Sequence, residues 1–477
     1  MKAPWLAAAT LALALVPALA RAFDPLWTDP GEMNEGRTLP GDRDPVGAPS
    51  PGGSPRVLTL VDAVDQALGR NAALRESWAR VKIQAAALGQ ARTAFLPTLG
   101  GSGSKVGDGL NVPAAGQPRT WASTYQASAT ADWQVFNFGS SFFGDRSAGH
   151  LIESAYADHN AALQKALAGV IQDYFDAFTA REVFFGDCRD TEIARGTLAS
   201  ARRREAKGAG TRSESLQATT SLLKLVVQSN RDEGAYHKAV AVLDDDMGAP
   251  PDTALAFPEA LDEDLRYNGQ DLKAWIVEAR ENHPAIVSAQ EQCEAARDAV
   301  RAAVAKSLPS FDFSVNYYVN GRPGLQISSE ASDELLVAGT VNLSLFGGFA
   351  DLYRIHDAEA RLEDQEARLE VARNDVLRDV VKAYWDAGTA FQNLKASEDL
   401  LQAALESEQV ARRRFDRHAA SLVEVFNAQS ALSDARQQRI RCLAQWRSDR
   451  LGLLASVGML GRDAVAPAAA RQPGQGN

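Results

Sequence analysis

The amino-acid sequence predicts a mainly α-helical chain that carries one unit twice, with two membrane-type β-strands in each copy. Three observations predict this fold class. One residue pattern occurs twice along the 477 residues, at an offset of about 210. Long segments lack proline and carry a helical period. Short segments between them alternate apolar and polar residues. Each copy should therefore contain a short helix, two strands and two further helices.

The composition excludes several classes of protein. A net charge of −11 and a pI near 5.2 disfavour binding to nucleic acid phosphates. Three scattered cysteines (Cys188, Cys293 and Cys442) make neither a disulfide framework nor a zinc cage. The mean hydropathy of −0.24, with the single long apolar run at the start of the chain, excludes a polytopic helical membrane protein. A soluble protein or a β-type membrane protein remains.

The amino terminus has the pattern of a secretory signal peptide. Lys2 precedes an apolar run over residues 6–16. Two overlapping Ala-x-Ala cleavage patterns follow, one ending at residue 20 and the other at residue 22. The sequence predicts a signal peptide over residues 1–20, with cleavage at 22 as the second choice. A transmembrane anchor is disfavoured because the run is too short to cross about 30 Å of hydrocarbon. Residues 23–57 form a Pro/Gly-rich arm.

The duplication covers nearly all of the remaining chain. The segment that begins at Val170 matches the one at Val380, and an Ala-Arg-Arg-Arg run occurs at Ala201 and again at Ala411. We predict a first repeat over residues 58–250, a second over 271–458, and a tail over 459–477. Chance similarity between alanine-rich helices would not keep this register across proline, glycine and aromatic positions together.

Proline-free segments predict long helices. No proline lies between Pro118 and Pro250, or between Pro323 and Pro467. In the second segment apolar residues recur every seven positions, as in a coiled-coil seam. A helix over residues 348–417 would be about 100 Å long. The seam residues are Ile355, Leu362, Leu369 and Val376.

Period-two alternation predicts four strands, at residues 98–105, 125–136, 310–319 and 337–346. Strands of this length, flanked by aromatic residues, are typical of outer-membrane proteins. The alternative is a soluble sheet packed on helices; the signal peptide and the rod-like helices disfavour it because they leave no compact partner layer. The predicted aromatic belt consists of Trp121, Tyr125, Trp133, Phe136, Phe311, Tyr317 and Phe346.

Four strands cannot close a barrel, so a membrane location requires several copies of the chain. In outer-membrane lipid each unpaired backbone group at an open edge costs several kcal/mol. Two copies would supply eight strands, a barrel filled by its own side chains, whereas three would supply twelve and leave a lumen. The polar inner faces favour a water-filled lumen and hence a homotrimer.

Several segments together carry a family resemblance over about residues 58–460. They include Asn-Ala-Ala-Leu at Asn71 and His-Pro-Ala-Ile at His283, Leu-Pro before the first strand of each repeat, Trp/Leu-x-x-Phe at a strand end, and the repeated Ala-Arg-Arg-Arg. This set resembles the TolC-like outer-membrane channel proteins. The resemblance implies a trimer whose twelve-stranded barrel continues into a long α-helical coiled-coil tunnel across the periplasm of a Gram-negative bacterium.

The resemblance also implies a function and partners. Such proteins are passive exit channels engaged by a periplasmic adaptor (a membrane fusion protein) and an energised inner-membrane transporter. Multidrug members often carry a lipid-attachment cysteine, which this chain lacks near the predicted cleavage site. We therefore expect type I protein secretion with an ABC-type transporter. The alternatives are the outer-membrane component of a multidrug efflux pump and, in a different class, a periplasmic coiled-coil scaffold.

The resemblance implies helix-to-helix turns at residues 206–213 and 416–423, at the periplasmic end of the tunnel. The first has the turn residues Gly208, Gly210 and Thr211. The second, with His418 and Ser421, lacks glycine and is expected to be tighter or partly helical. The runs of arginine at 202–204 and 412–414 precede these turns; they are expected to form a solvated helix face or, alternatively, an adaptor contact.

Beyond the second turn, the family has two aspartates three residues apart that ring the closed pore. The matching positions here are Glu424 and Asn427, and Glu214 and Gln217 in the first repeat. Residues three apart share a helix face, so each pair can face the lumen. Asn427 removes one acidic ring, which argues against a strong cation site. The alternative is that these residues are solvated helix starts, favoured there by the helix dipole.

The sequence gives no sign of catalysis. The six histidines show no metal-ligand spacing. There is no Walker loop, no complete G-x-G-x-x-G and no G-x-S-x-G elbow. We expect no enzyme activity and no catalytic, cofactor or metal residues, so that energy for export would come from a partner.

Overall fold

The computed structural model describes residues 57–110, 120–250, 255–259, 271–320, 332–417 and 419–465. The predicted signal peptide, the arm up to residue 56, the end of the tail and His418 lie outside this part of the chain. The described residues form nine α-helices, one short 3-10 helix and four β-strands. Helices and strands follow the same order in the two repeats.

The first repeat consists of α1 (Leu60–Arg70), α2 (Ala72–Arg92), β1 (Thr98–Leu110), β2 (Thr120–Phe136), α3 (Ser140–Ala206) and α4 (Arg212–Asp246). The second consists of α5 (Leu272–Asn282), α6 (Pro284–Lys306), β3 (Ser310–Val319), β4 (Asp333–Asn342), α7 (Ala350–Asp416) and α8 (Leu422–Val457), followed by the short α9 (Arg462–Val465). The predicted mainly helical, duplicated fold class is confirmed.

The two longest helices occupy equivalent places in the repeats. α3 and α7 contain 67 residues each, which corresponds to about 100 Å at a rise of about 1.5 Å per residue. The predicted seam of α7 is half-buried at Ile355, Leu362 and Leu369 and buried at Val376. In the part of the chain that the structure describes, no helix joins enough length to enough apolar character to cross a membrane.

The described residues fall into two compact units, of which the first contains the sheet. Its four strands are antiparallel throughout, in the order β1-β2-β3-β4. No described strand pairs with the outer side of β1 or β4, so the sheet is open at both edges.

In the same unit a buried Asp298 on α6 accepts from Arg301 at 2.7 Å and lies 3.1 Å from Arg146 of α3.

The strand register separates the sheet into an apolar and a polar face. Paired residues share a face, and faces alternate along each strand. The polar face carries hydrogen bonds between strands, such as Ser102 Oγ to Ser128 Oγ at 2.8 Å and Asn342 Nδ2 to Asp312 Oδ2 at 2.6 Å. The apolar face includes Leu99, Tyr125, Ala129, Trp133, Phe311, Phe313, Val315, Tyr317, Leu335, Val337 and Val341.

Three predicted strands differ from the observed ones, whereas β3 has the predicted bounds. β1 continues to Leu110 and β2 starts at Thr120, because glycine-rich residues without clear alternation still pair along β2. β4 spans Asp333–Asn342 rather than 337–346. Its last pair joins Asn342 to Ser310, which directly follows Pro309. Proline cannot continue the ladder, so the alternation beyond Asn342 has no partner strand.

The second unit is a layer of helices around the main hydrophobic core. Most side chains of this core come from α1, α3, α4 and α8, and Leu74 of α2 and Val465 of α9 add to it. α3 contacts α4 through the stacked rings of Phe184 and Tyr236, with centroids 6.4 Å apart. On its other side α3 contacts α8, which in turn contacts α7 through Arg439 and Glu398 at 2.6 Å. The helix order is α4-α3-α8-α7, so α4 and α7 are the outer helices of this unit.

Both outer helices expose apolar side chains in the single chain. On α4 these are Leu216, Leu223 and Val227, with Leu223 exposed by 58%. On α7 they are Trp385, Leu400 and Val410, with Trp385 exposed by 62%. We call these the α4 stripe and the α7 stripe.

Two equivalent glycines end α4 and α8 and pack closely on neighbouring backbone. Gly248 has a φ of +66° and Gly458 a φ of +84°. A Cβ atom would lie 2.7 Å from the Arg70 carbonyl oxygen at the first position and 2.6 Å from Pro284 Cδ at the second. Both the left-handed backbone and the close approach therefore require glycine.

Gly458→Ala is expected to lower the free energy of unfolding by about 1–3 kcal/mol, because the substitution strains the backbone and collides with Pro284. The midpoint of thermal unfolding of the purified protein measures this. Gly452→Ala is the matched control, since beyond the surrounding backbone of its own helix this glycine has no heavy atom within 4 Å of an added Cβ. The control should leave stability unchanged or raise it by about 0.5–1 kcal/mol. Equal midpoints for the two variants would contradict the expectation.

Candidate functional site

The turn between α3 and α4 is the first of two helix tips predicted to lie at the end of a tunnel. α3 ends at Ala206 and α4 begins at Arg212, with Thr211 as the N-cap. The Glu214 amide donates to Thr211 Oγ1 at 3.3 Å, and the Thr211 amide donates to Glu214 Oε2 at 3.4 Å. This reciprocal capping box satisfies two amides that the helix start leaves without intrahelical partners. Gly208 and Gly210 lie within the turn.

The turn between α7 and α8 repeats this geometry without glycine. The Glu424 amide donates to Ser421 Oγ at 3.2 Å. The Ala419 amide donates to the Arg414 carbonyl oxygen at 2.8 Å, as the Ala209 amide does to the Arg204 carbonyl oxygen at 2.9 Å. Each turn separates its helices by the same number of residues.

The expectation of a tighter or partly helical second turn is therefore wrong. Its described residues are not helical. The Arg414 guanidinium donates to the Ala419 carbonyl oxygen at 3.2 Å, as the Arg204 guanidinium does to the Ala209 carbonyl oxygen at 3.5 Å in the first turn. His418, the remaining predicted tip residue, lies outside the described residues.

The two candidate gate glutamates have different partners. Glu424 Oε1 accepts from Arg414 Nη1 at 2.7 Å, in addition to the capping of its amide by Ser421. Glu214 caps its own helix instead. The equivalent arginine of the first repeat, Arg204, lies over the Phe415 ring at 5.6 Å from Cζ to the centroid. Arg204 thus connects the two tips by a cation–π contact, whereas Arg414 holds a carboxylate within one tip.

The candidate gate amides, Gln217 and Asn427, lie one turn further along α4 and α8. Both side chains are exposed, whereas their helix neighbours Ala218 and Ala428 are buried. Within the described part of the chain neither amide side chain forms a hydrogen bond. The exposed side of each helix start therefore presents one carboxylate and one amide, which can line a polar constriction but provides little charge.

The arginine runs before the turns are mostly exposed. Arg203 donates to Ser200 Oγ and Arg413 to Gln409 Oε1, each at 3.0 Å. Arg412 lies 3.8 Å from Glu408. These contacts lie within one helix and leave much of each guanidinium in solvent, so a partner could still bind them.

The sheet carries most of the predicted aromatic belt on one face. Tyr125, Trp133, Phe136, Phe311 and Tyr317 all lie on the apolar face. The Trp133 indole donates to the Phe95 carbonyl oxygen at 3.1 Å, which fixes that ring at the start of β1. Trp121 belongs to β2, but its side chain lies outside the described part.

Phe346 is the exception, because it follows β4 rather than belonging to it. The side chain is 75% exposed and its ring lies 5.4 Å from that of Phe349. Phe349, like Phe138 at the same strand-to-helix junction of the first repeat, has a positive φ. Such a backbone is uncommon for a bulky residue, so both junctions hold a phenylalanine in a strained position.

Sequence reasoning did not find the pairs of aspartates between α3 and α4, Asp187 with Asp232 and Asp173 with Asp246. The two members of each pair lie at nearly equal distances in sequence from the turn between α3 and α4. Aligning the two helices as an antiparallel pair about that turn would therefore have revealed them. Among the described residues, no group of three or more histidine, cysteine, aspartate or glutamate side chains is arranged to hold a metal ion.

An exposed apolar sheet face, long paired helices and polar tips are the features of an exit channel, and the comparisons identify the class. The sequence profile described as "Outer membrane efflux protein" matches residues 63–249 and 275–459. The chain therefore belongs to the outer membrane efflux protein family. The two matched segments coincide with the two repeats.

Individual relatives agree with this assignment. Protein CyaE of Bordetella pertussis is 32% identical over 447 residues, covering 93% of this chain and 92% of CyaE. A membrane protein from Pseudomonas aeruginosa has a TM-score of 0.72 at 20% identity, with 83% of this chain and 93% of that chain covered. The Campylobacter jejuni CmeC outer membrane channel also gives 0.72, at 16% identity and with 84% and 86% covered.

The predicted resemblance, the fold class and the location are thereby confirmed. The protein is a TolC-like channel of the outer membrane that extends into the periplasm. Family and fold are those of channels rather than of enzymes.

Proposed function

We propose that this protein is the exit channel of a type I protein secretion system, in which a homotrimer joins a periplasmic adaptor and an ABC-type inner-membrane transporter. The similarity to CyaE supports this choice, at 32% identity over almost the whole chain. The solved membrane proteins of similar fold, including the CmeC channel, are only 16–20% identical to this chain. The absence of a cysteine near the predicted signal cleavage site also favours secretion over multidrug efflux.

The open sheet is the observation that carries the trimeric channel. Its apolar face is suited to lipid, and its polar face to a water-filled lumen. In lipid the free edges of β1 and β4 must be paired, because unpaired backbone groups there cost several kcal/mol each. β1 and β4 run antiparallel, so β4 of one copy can pair with β1 of the next. Three copies supply twelve strands and leave a lumen.

The helical unit supports the same assembly. α4 and α7 are its outer helices, and each carries an exposed apolar stripe. A ring of copies would place the α4 stripe of one subunit against the α7 stripe of its neighbour and remove both from water. Pairing at the strands and at the helices would then close the same ring.

The tips of this trimer form the periplasmic entrance. We assign Glu424, Asn427, Glu214 and Gln217 to its lining, with the exposed arginines on the outside as the surface for the adaptor. Three copies would supply six carboxylates and six amides. The Arg414–Glu424 ion pair would hold the second tip in its closed arrangement.

Arg414→Ser is expected to raise channel conductance, because it frees both Glu424 and the Ala419 carbonyl. An exposed ion pair contributes about 0–1 kcal/mol, so the increase should be at most about fivefold. Planar-bilayer recordings of the purified protein measure it. Arg413→Ser is the matched control, since Arg413 contacts Gln409 of its own helix. An unchanged conductance in Arg414→Ser, or an equal change in the control, would contradict a gating role.

The secretion assignment is tested in a Gram-negative host that lacks its own exit channel. The protein is produced with a type I ABC transporter and adaptor, and the substrate protein in the medium is measured beside drug susceptibility with an efflux pump. We expect secretion of the protein substrate. Drug resistance without protein secretion would instead favour the outer-membrane component of a multidrug efflux pump. The absence of both activities would contradict both assignments.

A further inference from the structure

Two pairs of aspartates lie across the contact between α3 and α4. Asp187 is within hydrogen-bonding reach of Asp232, and Asp173 within reach of Asp246. The two members on α3 are as far apart in sequence as the two on α4, four helical turns, so both pairs occupy one antiparallel register. Two like charges facing each other twice along a helix contact would repel, unless each pair holds a proton.

The surroundings of Asp187 indicate such a proton. Its side chain is 2% exposed, and Oδ1 accepts from Gln437 Nε2 of α8 at 2.8 Å. Oδ2 is buried without a hydrogen-bond donor in the described part of the chain. Buried polar atoms are normally paired. A proton held between Asp187 and Asp232 would satisfy the orphaned oxygen with groups already in place.

The charges around both pairs favour the protonated form. The pKa of Asp187 is raised to about 7, mainly by burial and then by the hydrogen bond to Asp232 and the charges of Asp232 and Asp190, whereas Arg441 of α8 lowers it. Other polar partners at this place are Gln228, which donates to Asp232, and Ser433, which donates to Asp190.

The second pair has the same electrostatics. The pKa of Asp173 is also raised to about 7, mainly by burial and then by the hydrogen bond to Asp246 and the charges of Asp246 and Asp176. All of these groups lie on the helices, outside the strands assigned to the membrane.

The second repeat lacks this device. At the offset of 210, Asp187 and Asp232 correspond to Ser397 and Cys442, and Asp173 and Asp246 to Ala383 and Ser456. Ser397 and Cys442 are buried. At these four positions the α7–α8 contact is thus uncharged within the same chain. Elsewhere along that contact burial raises the pKa of Asp449, which the hydrogen bond from Gln445 opposes and the charge of Asp386 on α7 reinforces.

We propose that the two aspartate pairs form a proton-dependent latch between α3 and α4, the two helices of the first tip hairpin. The latch holds these helices together while each pair shares a proton, and it loosens their contact when the protons pass to solvent. We call these four residues the latch. The second hairpin, formed by α7 and α8, has no aspartate pairs at the equivalent positions, and Asp449 is its carboxyl with a raised pKa in the described part of the chain. Its packing should therefore respond less over the same pH range. Each subunit therefore has one tip hairpin that responds strongly to the pH of the periplasm and one that responds less.

The sign of the effect follows from the raised pKa values. Between the ordinary aspartate value of 3.8 and about 7, the folded hairpin binds more protons than the unfolded chain. Its stability must therefore fall as the pH rises through this range. The loss continues through about pH 7, where half of these protons have left, and levels off above it. The latch is closed in acid and loosened in neutral to alkaline solution.

Hydrogen exchange of the full-length protein in detergent tests this, at about pH 5.5 and about pH 8 and after correction for intrinsic exchange. We expect the opening of α4, measured relative to α8, to increase about tenfold or more at the higher pH. Asp187→Asn supplies a permanent donor to Asp232 and should abolish most of this increase. Glu192→Gln is the control, because this exposed carboxylate pairs with Arg195 at 3.1 Å, away from the latch.

Asp173→Asn provides a second variant that leaves the Asp187–Asp232 pair intact, and it should remove part of the response. Equal pH responses of α4 and α8 in the unmodified protein would overturn the proposal. It would also be overturned if Asp187→Asn and Asp173→Asn both kept the full response. The measurement needs no transporter or cargo, so its failure would leave the secretion assignment untouched.

Discussion

Val337→Arg is expected to prevent stable insertion of the channel in the outer membrane. Val337 lies in the middle of β4 on the apolar face, is 56% exposed in the single chain and pairs with Val315. A lipid-facing arginine near the bilayer midplane costs about 2–4 kcal/mol, and a trimer would contain three. Membrane fractionation and detection of heat-resistant trimers measure the loss.

Ala338→Arg is the matched control for this substitution. Ala338 is the next residue of β4 and pairs with Ser314 on the polar face. An arginine there would project into water, so trimers should form at nearly normal levels. Equal insertion of the two variants, or better insertion of Val337→Arg, would show that the apolar face does not contact lipid.

Leu223→Asp is expected to abolish the trimer by disrupting the α4 stripe. Leu223 lies between Leu216 and Val227 on the exposed side of α4, beside the cationic Lys224. If the neighbouring subunit covers this stripe, the aspartate is buried without an adequate partner, which costs several kcal/mol per interface. A trimeric ring has three such interfaces, so the substitution would destabilise the trimer at all three. Size-exclusion chromatography with light scattering, or chemical cross-linking, measures the loss of trimer.

Ile193→Asp makes a comparable change on the neighbouring helix α3. Ile193 is also exposed, but α3 lies between α4 and α8 within its own subunit. Its substitution should leave the trimer intact. Trimers of normal stability in Leu223→Asp would exclude the α4 stripe from the subunit interface. Cross-linking that captured dimers but never trimers would overturn the trimer itself.

The sequence alone predicted the bounds of an element where apolar residues recur with a regular period over the whole element. Proline-free heptads predicted α7 within two residues at each end, and the alternation of Phe311, Phe313 and Val315 predicted both the bounds and the faces of β3. The heptad pattern and the alternation both follow from the local geometry of a helix or a strand. They can therefore be read without knowing which elements pack together.

Features that depend on a partner element could not be predicted in this way. The alternation continues past Asn342, but β4 ends there because Pro309 ends the strand opposite. The second tip turn has the same backbone hydrogen bond as the first, although its sequence lacks glycine. The latch aspartates resemble ordinary charged helix residues until α3 and α4 are aligned.

The duplication has a consequence for symmetry. Three subunits with two hairpins each would give the periplasmic entrance a pseudo-sixfold arrangement, which the chain itself reduces to threefold. Arg204 binds an aromatic ring where Arg414 binds a carboxylate, and Asp187 occupies the place of Ser397. Alternate hairpins around the ring thus differ chemically on a common backbone. Such an entrance can open in two stages, with three hairpins responding to one signal and the intervening three to another.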